Sequence, residues 1–188
     1  MAESSSDSPS MLIGKIASGD FPTYLVSFIA NNSTKGILLS RAFLPPPPMS
    51  GNTFQGQSSK FATSLAVFRD LFWIAFVANN VNGDLLTSYS TDSGFTWTAN
   101  NTVNQSSKAA PSMAVFNNQL WLAFVANNSS NDLLVCSSPD GMNWSPNTGS
   151  ISPARPRPRW RCSTTNSGSP SSPTTAAMIC WSARPPMG

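Results

Sequence analysis

A repeat of 48 residues governs what this chain can fold into. QSSKFATSLAVF at 57–68 returns as QSSKAAPSMAVF at 105–116, and FWIAFVANNVNGDLL at 72–86 returns as LWLAFVANNSSNDLL at 120–134. A weaker copy, YLVSFIANNSTKGILLS at 24–40, lies one period upstream. A unit recurring at a fixed step cannot bury its apolar face alone and has to stack on its neighbours.

Inside each unit the signals are those of strands. Ser64–Phe68 is a short apolar run, followed by Arg69-Asp70 in one copy and Asn117-Asn118 in the next, a two-residue hairpin signal. Leu71 to Ala78 is almost continuously apolar, as a strand covered on both faces should be. Asn79 to Asp84 reads as a turn and Leu85 to Ser90 as a third strand, with a fourth expected from about Phe95-Thr96-Trp97. Sixteen prolines and eleven glycines oppose long helices. The expected fold is all-β, and a four-stranded antiparallel unit of this length fits a β-propeller blade. Three parts are expected: a disordered serine-rich leader at 1–19, propeller blades at 20–153 (one degraded, two good copies) and an irregular tail at 154–188. Between Arg41 and Gly56 the degraded copy runs into four consecutive prolines, where a loop is expected. Propellers close with roughly four to eight blades, so this one is incomplete, and self-association could complete the ring.

At the third turn stands Ser90-Thr91-Asp92-Ser93-Gly94-Phe95-Thr96-Trp97, and one copy later the shorter Ser138-Pro139-Asp140-Gly141-Met142-Asn143-Trp144. The first matches the pattern S-x-D-x-G-x-T-W throughout. Over about residues 57–146 the chain resembles the Asp-box, or BNR-repeat, family of sialidase-like β-propellers. The resemblance implies a motif on an outer turn, away from the central site. Ser90, Asp92, Gly94, Thr96, Trp97, Ser138, Asp140, Gly141 and Trp144 are accordingly assigned structural roles. Asp and Ser can brace the turn's own backbone, glycine supplies a positive φ, and tryptophan is buried.

Sialidases of this kind are expected to need an arginine triad, a tyrosine paired with a glutamate, and an aspartate acid/base. Before residue 154 the chain has only Arg41 and Arg69; its one glutamate is Glu3 and its tyrosines are Tyr24 and Tyr89. No catalytic residue can be carried over. The absence of histidine excludes Ser-His-Asp and Cys-His arrangements. Cys136 is the lone cysteine of the repeats and reads as a small buried residue, so no metal site and no cofactor are expected. No apolar run reaches the ~18 residues of a membrane span, and no secretory signal is seen, which leaves the cytoplasm as the default compartment.

Charge separates the tail from the rest. Residues 1–153 hold six basic groups and all eight acids, a net of −2, and the overall +3 comes from five arginines beyond them. Arg155, Arg157, Arg159 and Arg161 around Trp160 look like a nucleic-acid arm. Back-translation offers a simpler origin. Reading the third base of each codon with the first two of the next, residues 155–188 permit AAPSMAVFNNQLWLAFVANNSSNDLLVCSSPDG. That string is identical to residues 109–141, 33 consecutive positions. The tail is therefore read as a further blade translated out of frame, and no nucleic-acid partner is expected.

The best-repeated polar feature is Ala-Asn-Asn. Asn79, Asn80, Asn127 and Asn128 read either as turn residues or, beside Trp73 and Trp121, as amide-rich pockets with an aromatic platform suited to neutral glycans. The favoured function is a non-catalytic, lectin-like carbohydrate- or surface-binding repeat protein. The alternatives are a sialidase fragment without its active-site blades and a translated remnant with no function.

Overall fold

The computed structural model describes residues 5–15, 22–43 and 53–146, with the short pairs 161–162 and 180–181. The chain divides into two compact units, Met1–Ile151 and Ser152–Gly188.

The first unit is a succession of antiparallel meanders. One sheet runs β1 (Ser10–Gly14), β2 (Thr23–Ile29), β3 (Gly36–Phe43), β4 (Thr53–Ser58); the next runs β5 (Ser64–Phe68), β6 (Leu71–Val77), β7 (Asp84–Ser90), β8 (Asn101–Ser106). A third holds β9 (Ser112–Phe116), β10 (Gln119–Val125) and β11 (Leu133–Ser138). The second strand of each sheet begins at residue 23, 71 or 119, a constant step of 48. No helix occurs among the described residues, so none there is long and apolar enough to cross a membrane.

Strand alternation sends successive side chains of each middle strand to opposite faces, and stacking gives two apolar layers. Leu25, Ile29, Ile37 and Leu39 of the first sheet pack with Leu65, Phe72, Ile74 and Phe76 of the second. On the second sheet's other face Ala66, Phe68, Trp73, Ala75, Val77 and Leu85 pack with Met113, Leu120, Leu122, Phe124 and Cys136 of the third. Strand β6 is thus covered on both sides, as its unbroken apolar run requires.

The hairpins follow the sequence. Arg69 and Asp70 have φ of 52° and 57°, and Asn117 and Asn118 have 49° and 53°. Two successive left-handed residues make the turn whose twist matches paired strands.

Two expectations are corrected. The serine-rich leader is not without structure: Ser10–Gly14 pairs with β2 over five residues, and Ser5 bridges Ala30. The equivalent bridges are Ser59 to Ala78 and Ser107 to Ala126, so the leader supplies the first strand of the first repeat. The fourth strand of the second sheet does not begin at Phe95-Thr96-Trp97 but at Asn101. The Thr96 amide is already engaged by the Asp92 carboxylate, 2.8 Å away, and cannot join the ladder.

The proline-rich stretch lies in residues outside the described set. So does the tail at 154–188, except for the antiparallel pair β12 (Arg161–Cys162) and β13 (Cys180–Trp181).

Candidate functional site

The two Asn-Asn pairs sit on the turns joining second and third strands, and each asparagine of a pair has its own task. The second braces its turn. Asn80 Oδ1 accepts from the Gly83 and Asp84 amides at 2.8 and 3.3 Å, while its Nδ2 donates to Asp84 Oδ2 at 2.7 Å. Asn128 does the same with the Asn131 amide (3.0 Å) and Asp132 Oδ2 (3.1 Å). The first reaches the preceding sheet: Asn79 Nδ2 donates to the Thr34 carbonyl at 3.4 Å and Asn127 Nδ2 to the Asn82 carbonyl at 2.8 Å. Lysines add a brace within the same repeat, Lys60 Nζ to the Val81 carbonyl and Lys108 Nζ to the Asn128 carbonyl.

The tryptophans are not brought together with these amides. Trp73 lies near the start of β6, six residues from Asn79, and at about 3.3 Å per residue that is about 20 Å along the strand. Its ring is 1% exposed, its Nε1 donates to the Phe68 carbonyl at 3.2 Å, and Tyr89 lies 5.0 Å from it. A Cβ added at Gly141 would overlap the Trp73 ring, so the third sheet's turn seals it. Trp121 makes the matching bond to Phe116 but is only half-buried. An aromatic platform flanked by Asn79 and Asn80 is not formed, because neighbour packing consumes the ring that the strand carries away from the turn.

A cleft exists instead where the second and third sheets meet at their turn ends. It is open, of about 570 Å³, and lined by Asn82, Asp84, Thr102, Asn104, Gln105, Ser106 and Asn127. Only Asn127 among these was marked by the sequence. The others come from the turn before β7, from the start of β7 and from β8, and no motif announces them because they face Asn127 only once the second and third sheets stack. Asn104 stands at φ 58° with its side chain in solvent, and its amide hydrogen-bonds Thr102 Oγ1 at 3.0 Å. The lining presents amide donors, carbonyl and hydroxyl acceptors and one carboxylate. Among the described residues no group of three His, Cys, Asp or Glu is placed to hold a metal ion.

The Ser90–Trp97 turn is a closed hydrogen-bond system. Ser90 Oγ donates to Asp92 Oδ1 (2.7 Å) and accepts from the Gly94 amide (2.8 Å); Asp92 takes the Thr96 amide (2.8 Å) and the Thr96 hydroxyl (2.6 Å). Burial opposes ionisation of Asp92, but the bonds from Thr96, Ser90 and Phe95 prevail and lower its pKa. In the shorter turn Asn143 stands in for Thr96. Its amide and Nδ2 donate to Asp140 at 2.8 and 2.7 Å, Met142 adds its amide, and Ser138 Oγ bonds both Asp140 and the Gly141 amide. These bonds, Asn143 first, hold the Asp140 carboxyl well below the usual carboxylate range. Trp97 packs on the first apolar layer and Trp144 on the second. Arg41 of the first sheet ties the longer turn down, donating to the Gly94 carbonyl at 2.6 Å with its guanidinium 3.8 Å from the centre of the Phe95 ring. Cys136 is buried, which pushes its thiol pKa up to about 11.

No known family profile matches the sequence, and no curated protein matches it. Among solved structures, the Hadza microbial sialidase Hz136 is similar, with a TM-score of 0.47 and 16% identity over 73% of this chain and 32% of that one. The chain spans about a third of that neighbour's length.

Proposed function

We propose that the protein is a non-catalytic β-propeller repeat module that binds neutral saccharides at the polar cleft between the turn ends of adjacent sheets. The observation behind this reading is the cleft lining: amides and hydroxyls from Asn82, Thr102, Asn104, Gln105 and Asn127 present mixed donors and acceptors around one open concavity. Vicinal sugar hydroxyls both donate and accept, so a lining of amides and hydroxyls with the single Asp84 carboxylate can satisfy them. Meander sheets stacked at a 48-residue step support the propeller part. A site repeated on a stacked scaffold turns weak single contacts into useful avidity.

A glycan array followed by calorimetric titration of the best binder tests it. Asn104→Gly removes one amide at a position whose φ suits glycine, so the fold should survive; loss of one hydrogen bond of about 1 kcal/mol should weaken binding about fivefold. No binding to any glycan, or unchanged affinity in the variant, would sink the reading.

A second reading, a piece of a sialidase-type glycoside hydrolase, rests on the Ser90–Trp97 motif. Turnover of a fluorogenic sialoside by the chain would favour it.

A further inference from the structure

Both sheet-to-sheet junctions obey one rule, and the rule leaves a face unfilled. Leu25 and Ile29 of β2 meet Phe72, Ile74 and Phe76 of β6; the alternate residues of β6, Trp73, Ala75 and Val77, meet Leu120, Leu122 and Phe124 of β10. A turn glycine closes each junction, Gly94 against Leu25 and Gly141 against Trp73. The alternate residues of β10 are Trp121, Ala123 and Val125, with Ala114 and Phe116 beside them on β9. Residue for residue these repeat Trp73, Ala75, Val77, Ala66 and Phe68. The earlier five are at most 6% exposed, whereas Phe116 is 71% exposed, Ala114 is exposed, and Trp121, Ala123 and Val125 are half-buried. Among the described residues the third sheet also has three strands where the first and second have four.

We propose that this face is the seat of a fourth copy of the chain's own repeat, and that codons 149–188 hold that copy in a neighbouring reading frame. The shifted reading already matched to residues 109–141 extends upstream. Codons 149–155 permit Val-Asn-Gln-Ser-Ser-Lys, residues 103–108, so the match covers 103–141. Its first residues correspond to β8 and supply the outer strand that the third sheet lacks among the described residues. The remainder contains the counterparts of Met113, Leu120, Leu122, Phe124 and Cys136, the side chains that cover Trp73, and of Gly141, which closes over it. In the intact repeat the codon of Val103 starts 18 nucleotides after that of Trp97, whereas its shifted counterpart starts 17 after that of Trp144. One base separates the two frames, and the break falls at Thr148-Gly149. This inference stands independently of the saccharide reading.

The gene itself gives the first test. The codons of Arg159, Ser163 and Thr164 must end in A and that of Arg184 in T; other third bases overturn the proposal. The second test compares the 188-residue chain with a chain carrying one added base at codon 149. Both carry Ala123→Cys; the tail cysteines of the former are replaced (Cys162→Ser, Cys180→Ser), and in the latter the reframed segment's counterpart of Cys136 is replaced by serine. Reaction of the introduced thiol with Ellman's reagent should slow at least tenfold in the reframed chain, while the buried Cys136 stays silent in both and reports that they are folded. An unchanged rate overturns the proposal. So does protection that appears in the 188-residue chain and rises with its concentration, because a second copy of the chain would then be the occupant. If the reframed chain does not fold, the codon third bases still decide.

Discussion

Trp73 and Trp121 occupy the same place in the same repeat and make the same Nε1 bond, to Phe68 and to Phe116. Among the described residues only Trp73 is roofed by a following sheet. Trp73→Ala should cost about 3–5 kcal/mol, the range for emptying a large buried site, and Trp121→Ala about 1 kcal/mol or less. Urea midpoints with equal slopes would measure both, and equal losses would mean the two faces are equally covered. The aspartates set an acid limit at the same scale. Asp92 and Asp140 have lowered pKa values in the folded chain, so each contributes stability that is fully present above the ordinary carboxylate pKa of about 4. That contribution is lost as pH falls from there through the folded values. Asp140→Asn should therefore be less stable than the parent at pH 7, with the gap narrowing steadily as pH falls below about 4 toward the folded value and closing only beneath it. Parallel curves across that interval would contradict the hydrogen-bond account.

Between residue and molecule stand the strands, and β6 against β10 is the informative pair. Both are central strands that share the pattern Trp-x-Ala-Phe-Val, but among the described residues β6 is packed on two faces and β10 on one. Amide exchange tracks local opening, so Leu71–Val77 should be the slowest segment and Gln119–Val125 at least tenfold faster by mass spectrometry. Matching rates would show that the sheets open only together. Strand β1 shows what the repeat pattern hides. Pro9-Ser10-Met11 matches Pro111-Ser112-Met113, but the match is three residues long, and eight residues separate β1 from β2 where two separate β5 from β6. A fixed 48-residue step cannot find a strand displaced by a longer hairpin. The start of β8 was equally hidden, because an aspartate side chain rather than a strand partner takes the Thr96 amide.

Across the whole first unit, the hairpin signals, the apolar middle strands and the repeat step were legible because each is local: two left-handed turn residues, alternating side chains, a recurring string. The braced turns at Ser90 and Ser138 were legible for the same reason, since their partners lie within four residues. The cleft was not, because Asn82, Gln105 and Asn127 belong to elements that meet only after sheets stack. Nor could sequence distinguish Trp73 from Trp121, alike in their surroundings along the chain and opposite in what covers them. The sequence by itself determined strands, turns and period, because these depend on neighbours a few residues away. The tertiary structure alone decided which faces are buried, which asparagines bridge sheets and where an open concavity remains, because burial depends on what lies 48 residues further on.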